Sequence, residues 1–446
     1  MYRVVVLLNF VFLFFFEGFS QSELAINALP YMGVHNSFSQ PAYLVFTPYK
    51  LDVNIIGAKA SMFNQSFTPG RKTTVDDVMT GGSKFSDLFA VGGSNIFVNA
   101  SVVLPSALYA IDNKNVVSFS SRIRAIGFSA LREFNALDFF VKGFQEGDAG
   151  LDNAVVSAFA LAWSEFNFGY SRVLYQKSNH SFSAGVNAKL LMGAASMYFG
   201  VDGLSFKTDG STLKDLNGDL TFYYNDSMDE LAQGKDVKIF SNPGFGFDFG
   251  LAYKLASEDT SSLLGYKLKL GFSLLDFGSV KFSSGESSIN GNVSAQNQTI
   301  EAYSDVKSPE ELSKRISDNF NVSNERKDSY TVTLPRKFSL NADYNVWKKF
   351  YVGANLSYSS LRILKEVKER SGFNNVAALN LRYEKKRWGV YLPYSYHSIL
   401  KSELGLSGRI GPIILGSNNI FSSLMSNKNY SSLNLYFAAR FTILKK

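Results

Sequence analysis

The most regular feature of the sequence is an alternation of hydrophobic with polar or small residues at every second position. In GFGFDFGLAYKL, residues 244–255, aromatic and aliphatic residues occupy the odd positions, and Gly, Asp, Ala or Lys occupy the even ones. Side chains alternate between the two faces of a strand, so this period predicts a β-strand with one apolar face. Such a strand belongs either to a soluble sheet or to a barrel with lipid outside and a watery lumen inside.

The same alternation recurs in residues 338–346, 352–358 and 433–443. These segments belong to strands of about ten residues or more, which is longer than the five or six usual in globular sheets and suits strands tilted across a bilayer. Further candidate strands lie at 50–63, 95–111, 115–128, 151–163, 165–176, 181–194, 196–206, 218–225, 263–275, 277–284, 328–334, 375–384, 387–398, 402–410 and 411–419. Together they predict an all-β fold, a transmembrane antiparallel barrel of about 14 strands over residues 49–446.

Three segments interrupt the alternation. Residues 21–48 contain three prolines and predict an N-terminal hatch, or plug, or a periplasmic extension. Residues 129–146 have apolar positions at helical spacing, which predicts a short amphipathic helix inserted in the barrel. Residues 285–327 are polar, and a capping-box pattern beginning at Ser308 predicts a short helix there. We expect this segment to be the longest loop and to be extracellular.

The first 20 residues have the composition of a secretory signal peptide. A single Arg precedes a mostly apolar run, and small residues follow at positions 18 and 20. A membrane anchor is the competing interpretation, but the run is shorter than the roughly 20 residues that a spanning helix needs. The rest of the chain has no apolar run near that length, yet 46% of residues are hydrophobic and 15% aromatic. We therefore expect an exported protein, either a large secreted β-protein or a barrel in the outer membrane of a Gram-negative cell.

The formal net charge of +7 suits anionic lipid headgroups or an anionic solute in an exported protein, rather than nucleic acid. Taking the apolar face of each strand as outward assigns twelve polar side chains to the lumen, since a charge on the lipid face is costly. These candidates are Arg122, Arg124, Lys189, Asp248, Lys254, Lys267, Lys269, Asp343, Arg382, Glu384, His397 and Arg440. Eight are basic and three acidic apart from His397, so one hypothesis is a net positive lumen. The alternative is that they pair with one another, or with the hatch, in a closed barrel.

Aromatic residues near strand ends fit girdles at the two membrane interfaces, although ordinary core aromatics would have the same pattern. They include Trp347, Tyr351, Trp388, Tyr391 and Tyr394.

The sequence offers little for catalysis or metal binding. It has three histidines and no cysteine, which excludes a disulfide framework and a thiolate metal site. His397 precedes Ser398, and adjacent strand residues face opposite sides, so no serine and histidine pair is predicted on one face. Neither a metal-binding motif nor a nucleotide fingerprint is present. We expect a protein that is not an enzyme and needs no cofactor.

Short motifs resemble a known family. SQPAYL, residues 39–44, is similar to the NPA segment of FadL-like outer-membrane proteins, with Gln40 in place of Asn. LDFFVKGFQEGDA, residues 137–149, and the closing NYSSLNLYFAARFTI resemble an uncharacterised Bacteroidota family of FadL-like barrels. The resemblance implies a fourteen-stranded barrel with an N-terminal hatch inside.

The resemblance leaves two functions open. FadL-type members carry hydrophobic compounds through the barrel wall, which implies transport of a small hydrophobic or amphipathic ligand, with Arg122, Arg124 and Lys189 attracting an acidic headgroup. A related PorV-like branch serves in protein secretion, which implies a non-transporting accessory subunit of a secretion, surface-display or outer-membrane assembly complex. In both cases the expected surroundings are outer-membrane lipid and, for the second, outer-membrane protein partners.

Overall fold

The wall of the molecule is one antiparallel sheet that closes on itself. The computed structural model describes residues 30–64, 95–131, 150–209, 212–258, 264–299, 307–323, 327–361, 370–371, 375–397, 401–425 and 431–445. The strands are β1 (Tyr49–Asn64), β2 (Asn95–Val103), β3 (Ser106–Ala110), β4 (Asn115–Leu131), β5 (Gly150–Lys177), β6 (His180–Asp209), β7 (Thr212–Tyr224), β8 (Pro243–Ala256), β9 (Tyr266–Ser283), β10 (Ile289–Ala295), β11 (Gln298–Thr299), β12 (Asn321–Val322), β13 (Ser329–Thr333), β14 (Arg336–Trp347), β15 (Phe350–Leu361), β16 (Arg370–Ser371), β17 (Val376–Glu384), β18 (Trp388–His397), β19 (Lys401–Leu404), β20 (Leu406–Ile410), β21 (Ile413–Ser417) and β22 (Ser431–Leu444).

The barrel is a ring of 14 antiparallel wall strands, as the alternation predicts. Three wall strands are interrupted and are each made of two segments, namely β2 with β3, β13 with β14, and β19 with β20. The ring closes where β1 pairs with β22, for example at Val53 opposite Phe441. Several predicted strands merge, because β5, β6 and β9 each span two candidate segments.

The alternation sorts side chains as expected. On β8, Phe245 is 76% exposed and Phe247 53%, whereas Asp248 between Phe247 and Phe249 is 1% exposed. Lipid on the outer face explains why such large apolar side chains lie on the surface. Of the predicted girdle residues, Trp347, Trp388 and Tyr394 are exposed. The assignment was wrong for Tyr351 and Tyr391, which are both 1% exposed and face the lumen, because they stand at inward positions of their strands.

The two rims of the barrel differ. On one rim the hairpin turns are short, at residues 111–114, 178–179, 348–349, 385–387 and 411–412, and the ends of β1 and β22 meet there. We call this the short-turn rim, and it corresponds to the periplasmic side of outer-membrane barrels. The opposite rim carries the longer connections. In the described part of the chain, no helix is both long enough and apolar enough to cross a membrane.

The long-loop rim carries an additional small sheet. The far half of β6 pairs with β7, which pairs with β10 and β11, and β10 pairs with β12. Helices α1 (Asp226–Ala232) and α2 (Pro309–Asn319) pack beside it, and a third helix, α3 (Ile420–Met425), lies before β22. We call β7, β10, β11, β12, α1 and α2 the extension.

The inserted segments match their predictions in part. The predicted loop 285–327 contains α2, and the Ser308 Oγ accepts a hydrogen bond from the Glu311 backbone N–H at 3.2 Å, as a capping box requires. It also contains three extension strands, which its polar composition did not reveal. Of the helix predicted at 129–146, residues 129–131 continue β4 and the remainder lies outside the described residues. The signal peptide at 1–20 also lies outside them.

Candidate functional site in the barrel lumen

Residues 30–46 lie inside the barrel and form the hatch. They consist of two 3-10 helical segments, Pro30–Phe38 and Pro41–Phe46, and nearly all of their side chains are buried. The first segment bends at Gly33, whose φ of 54° is in the left-handed region and whose position leaves no room for a Cβ beside the Asp52 carboxylate. Residues 21–29 of the predicted hatch lie outside the described residues.

The hatch backbone is held by side chains from the wall. The Val34 N–H donates to Asp52 Oδ2 at 2.6 Å, and Arg440 donates to the Tyr31 carbonyl at 2.7 Å. Further along, Ser183 Oγ donates to the Ala42 carbonyl at 2.9 Å. These bonds satisfy backbone groups that would otherwise be buried without partners. Burial raises the pKa of Tyr31 to about 12, so its hydroxyl stays neutral inside the barrel.

The segment that carries Gln40 fits against glycines of the wall. Gln40 Oε1 accepts a hydrogen bond from the Ala42 N–H at 3.3 Å, so the glutamine caps the second helical segment where the resembling family has Asn. A Cβ on Gly250 would clash with Gln40 Oε1, and one on Gly271 would lie 2.6 Å from Gln40 Nε2. The wall therefore leaves space for the hatch by omitting side chains at these positions.

Above the hatch, on the side of the long-loop rim, six charged side chains form one network. We call it the Asp276 cluster, and its members are Arg122, Arg124, Glu165, Lys189, Asp248 and Asp276. Lys189 Nζ lies 2.7 Å from Asp248 Oδ1 and 2.6 Å from Asp276 Oδ1, while Arg124 Nη1 lies 2.9 Å from Asp276 Oδ2. The cluster holds three basic and three acidic groups, so its formal charge is zero. Its cations are already neutralised by carboxylates of the wall.

A second network lies across the lumen and contacts the hatch. We call it the Asp343 cluster, and its members are Tyr266, Asp343, Arg382, Glu384, Tyr391 and Arg409. Arg382 Nη2 lies 3.0 Å from Asp343 Oδ2, and Arg409 Nη2 lies 2.6 Å from Glu384 Oε1. The Arg409 guanidinium also lies 4.2 Å from the centre of the Tyr31 ring, which couples this network to the hatch.

Most predicted lumen residues are buried on the inner face of the wall. Ten of the twelve candidates are at most 7% exposed: Arg122, Arg124, Lys189, Asp248, Lys269, Asp343, Arg382, Glu384, His397 and Arg440. Lys254 is partly buried, with its Nζ 4.8 Å from the centre of the Phe46 ring in the hatch.

Lys267 is the exception, and its assignment was wrong. A register shift near the start of β9 turns Tyr266 inward and leaves Lys267 on the outer side. There its Nζ lies 4.6 Å from the centre of the Tyr344 ring, which is 43% exposed.

The ion pairs in the lumen include charged residues that the alternation did not identify. Five buried charged residues were missed when the apolar face of each strand was taken as outward. They are the acids Asp52, Glu165, Asp276 and Glu403 and the base Arg409. Among the described residues, seven inward cations lie within 4.0 Å of a wall carboxylate: Arg122, Arg124, Lys189, Lys269, Arg382, Arg409 and Arg440. These pairs fit the alternative in which charges pair within the barrel, and the net positive lumen stays a prediction.

Ser395 and His397 are not arranged as in a catalytic triad. Ser395 and His397 do share one face of β18, with Oγ and Nε2 2.9 Å apart, so the expectation of no such pair was wrong. However, Glu403 Oε2 lies 3.3 Å from the same Nε2, whereas a triad needs its acid on the other ring nitrogen. Ser395 and His397 are also fully buried. Among the described residues, no group of three His, Cys, Asp or Glu side chains is placed to hold a metal ion.

An apolar compartment follows the Asp276 cluster toward the long-loop rim. On β5 the inward face changes from Glu165 to Trp163 and then to Leu161. Trp163 marks the boundary, since its Nε1 donates to Glu165 Oε2 at 3.2 Å while the Arg124 guanidinium lies 4.5 Å from its ring centre. The compartment is a core of buried side chains packed against one another, and it consists of Phe97, Ile126, Phe128, Phe159, Leu161, Trp163, Leu191, Tyr198, Tyr223, Val280, Phe282, Tyr330, Val332 and Leu334.

Beside this compartment, the strand ladders of β8 end before the wall does. β8 pairs with β6 only as far as Met192 and with β9 only as far as Val280. Beyond that level β6 pairs with β7, and among the described residues no ladder joins β7 to β9 or β13.

Aromatic side chains bridge this gap. The ring of Tyr330 lies 5.2 Å from that of Tyr223 and 5.7 Å from that of Phe282, and the Tyr330 hydroxyl donates to the Ser196 carbonyl at 3.0 Å. We call Tyr223, Phe282 and Tyr330 the seam. The Gly285 N–H also donates to the Tyr224 carbonyl at 2.7 Å across this gap, so separating the seam costs one backbone hydrogen bond and side-chain packing but no described strand ladder.

Comparisons with known proteins agree with this architecture. A family model described as "Family of unknown function (DUF5723)" matches residues 41–418. The structure of the TodX deltaS2S3 mutant monoaromatic hydrocarbon channel is similar, with a TM-score of 0.50 and 10% identity over 96% of this chain and 100% of that one. At this identity the likeness shows the fold alone. No curated protein matches the chain.

Two further structures have lower TM-scores. They are the toluene transporter TodX from Pseudomonas putida, with a TM-score of 0.44 and 10% identity over 95% of this chain and 97% of that one, and a FadL homologue from Pseudomonas aeruginosa, with a TM-score of 0.29 and 12% identity over 95% and 96%. The fold is that of a FadL-like outer-membrane barrel.

Proposed function

The chain belongs to DUF5723, a family of unknown function, and we propose that this outer-membrane barrel allows small hydrophobic or amphipathic compounds to cross the outer membrane. The similar structure carries the name of a monoaromatic hydrocarbon channel, which supports the same class of solute. No catalytic step is part of the proposal.

The observation that carries the proposal is the apolar compartment beside the seam. A barrel that conducts polar solutes needs a polar lumen, whereas fourteen mostly aromatic and aliphatic side chains meet inside this one. Within the described residues, the compartment adjoins a level of the wall where the packing of Tyr223 and Tyr330 takes the place of a strand ladder. A hydrophobic compound that leaves through the seam enters the lipid directly and avoids the charged clusters and the hatch.

The neutral charge of the Asp276 cluster narrows the class of solute. Arg122, Arg124 and Lys189 were the predicted attractors of an acidic headgroup, but each contacts a wall carboxylate. Detaching one of these cations would leave a buried carboxylate without its partner, which is costly. The proposal therefore favours uncharged hydrophobic compounds over long-chain acids.

A reversible cross-link across the seam tests the proposal. The chain has no cysteine, so Tyr223→Cys with Tyr330→Cys can be joined by a short bis-methanethiosulfonate and released by a reductant. Cross-linking is expected to lower the uptake rate of a labelled monoaromatic hydrocarbon in cells, and reduction to restore it. Phe119→Cys with Phe168→Cys is the matched control, because these outward rings lie 5.3 Å apart and away from the seam. Equal uptake with the seam joined and released would contradict passage through it.

The extension favours a second candidate, a non-transporting accessory barrel in a secretion, surface-display or assembly complex. Glu310 N–H donates to Asp229 Oδ1 at 3.0 Å, so α1 and α2 are docked on each other and form an ordered surface at the long-loop rim. Such a surface suits a protein partner. Affinity purification in mild detergent discriminates the two, since a stable stoichiometric outer-membrane partner supports the accessory role and isolation of the barrel alone supports transport.

A further inference from the structure

A row of four aromatic side chains lies on the outer face of the wall at the short-turn rim. The rings of Trp347 and Phe350 stack with centres 6.1 Å apart, Phe350 and Tyr383 are 4.8 Å apart, and Tyr383 and Trp388 are 5.4 Å apart. We call these four residues the aromatic row. Trp347 is 60% exposed and Phe350 46%, so the row offers a continuous apolar surface to the membrane interface.

Two hairpin turns directly beside the aromatic row carry only cations. The basic turns, as we call them, consist of Lys348, Lys349, Lys385, Lys386 and Arg387. Lys348 Nζ lies 5.1 Å from the centre of the Trp347 ring, and Lys385 Nζ lies 4.7 Å from that of Trp388. The amphipathic lysine stems thus run along the row while the ammonium groups stay at its edge.

No carboxylate in the described part of the chain neutralises the positive charge of the basic turns. Within the part of the chain that the structure describes, none of the five cations forms an ion pair with a carboxylate. The acids nearest in sequence, Asp343 and Glu384, point into the lumen and are 5% and 1% exposed. Five like charges on adjacent turns repel one another, and an anion between them relieves that repulsion.

Buried groups fix the backbone of both turns from the lumen side. Arg409 donates to the Lys385 carbonyl at 2.6 Å and to the Lys386 carbonyl at 3.3 Å. Asn345 Nδ2 donates to the Lys348 carbonyl at 3.1 Å, at a residue whose φ of 44° is in the left-handed region. The turns are therefore pre-organised, and binding an anion there loses less conformational freedom than on a flexible loop.

We propose that the aromatic row and the basic turns together form a binding site for an anionic phospholipid. The lipid phosphate lies among the cations of the basic turns, which donate charge-assisted hydrogen bonds to it. The glycerol and the first acyl carbons pack on the aromatic row. A lipid fits better than a soluble anion, because the cations border an outward apolar surface at the level of the membrane interface. The proposal does not depend on which compound crosses the lumen.

Lipid retention by the full-length barrel tests the proposal. The purified protein is mixed in detergent with equal amounts of dioleoyl phosphatidylglycerol and dioleoyl phosphatidylcholine, and bound lipid is counted by native mass spectrometry. We expect phosphatidylglycerol to be retained roughly tenfold over phosphatidylcholine at low salt, and less so as salt rises. Replacing all five cations of the basic turns by Gln is expected to remove this preference.

A second five-site variant controls for net charge. Replacing Lys177, Lys235, Lys238, Lys281 and Lys307 by Gln removes the same number of exposed cations elsewhere, and should leave the preference unchanged. Trp347→Leu with Trp388→Leu should weaken retention of phosphatidylglycerol while all five cations remain. Heat-modifiable mobility on gels shows whether each variant is folded. If the five-site variant of the basic turns is not folded, the single variants Lys348→Gln and Lys386→Gln replace it, and each is expected to reduce the preference for phosphatidylglycerol in part.

Three results would overturn the proposal. One is equal retention of the two lipids by the unmodified protein, and another is an unchanged preference in the five-site variant of the basic turns. The third is displacement of bound lipid by an equal concentration of glycerol phosphate, since a soluble anion would then bind as well as the lipid.

Discussion

Asp52 of the first wall strand and Arg440 of the last form a salt bridge of 3.2 Å where the barrel closes, and both side chains also hold the hatch. Asp52 accepts from the Val34 N–H, and Arg440 donates to the Tyr31 carbonyl. Closure of the ring and retention of the hatch therefore depend on the same buried pair.

Replacing Asp52 by Asn separates these two partners. Arg440 would keep a buried charge without its carboxylate, and breaking a buried pair in this way costs about 3–5 kcal/mol. We expect a lower midpoint of urea unfolding and faster proteolysis of the hatch in the folded barrel. Asp236→Asn, in an exposed loop, is the control and should change neither. Unfolding at the unmodified midpoint for Asp52→Asn would contradict a shared role in closure and hatch retention.

Gly250→Ala tests the contact between the wall and the hatch. A Cβ at this position clashes with Gln40 Oε1, so the hatch must shift away from the wall. The expected result is a larger single-channel conductance in planar bilayers than for the unmodified barrel. Gly353→Ala is the matched control, because its Cβ would have no atom closer than 3.7 Å. Equal conductance for both variants would show that Gly250 does not position the hatch.

The Asp276 cluster predicts a non-additive pair of substitutions. Asp276→Asn leaves Lys189 and Arg124 each without one of their carboxylate contacts, at a cost of about 3–5 kcal/mol in the free energy of unfolding. Adding Lys189→Met restores neutrality and should recover part of that loss. Urea unfolding of the two single variants and the double variant gives the coupling energy. Simple additivity would indicate that the two side chains do not interact in the folded barrel.

The cap of α2 predicts a local effect in the extension. Ser308→Ala removes the acceptor for the Glu311 N–H and should destabilise α2 by about 1 kcal/mol. Hydrogen exchange should accelerate in residues 309–319 and stay unchanged in the wall strands. Ser317→Ala, exposed in the same helix, keeps the cap and should not accelerate exchange.

The wall strands could be predicted from the sequence, because the alternation of apolar and polar residues along a strand is a local property. The alternation correctly placed Asp248 inside and Phe247 outside. The same rule applied to β5 would have identified Glu165, two residues after Trp163, as an inward residue. Asp276 could not be found in this way, since it lies in a break between two candidate strands and has a φ of 60°. The prediction that Lys267 faces the lumen was wrong for a related reason, because a register shift interrupts the alternation of inward and outward side chains there.

The seam and the extension depend on long-range pairing and were not predicted. Pairing of β10 with β7 joins residues about seventy positions apart, and no periodicity within either segment specifies the other as its partner. The ion pairing in the Asp276 cluster depends on the same kind of information, because Arg124 and Asp276 meet only in the closed barrel. The predictions of a signal peptide and of a Bacteroidota family remain predictions.

The central claim is that hydrophobic compounds cross the outer membrane through this barrel. The most direct measurement compares the initial uptake rate of a labelled monoaromatic hydrocarbon in a deletion strain, in the same strain complemented with the unmodified barrel, and in the strain complemented with the seam cross-linked through Tyr223→Cys and Tyr330→Cys. We predict slow uptake in the first, fast uptake in the second, and slow uptake in the third until a reductant opens the seam. Equal uptake in all three strains across a broad panel of hydrophobic compounds would contradict the claim.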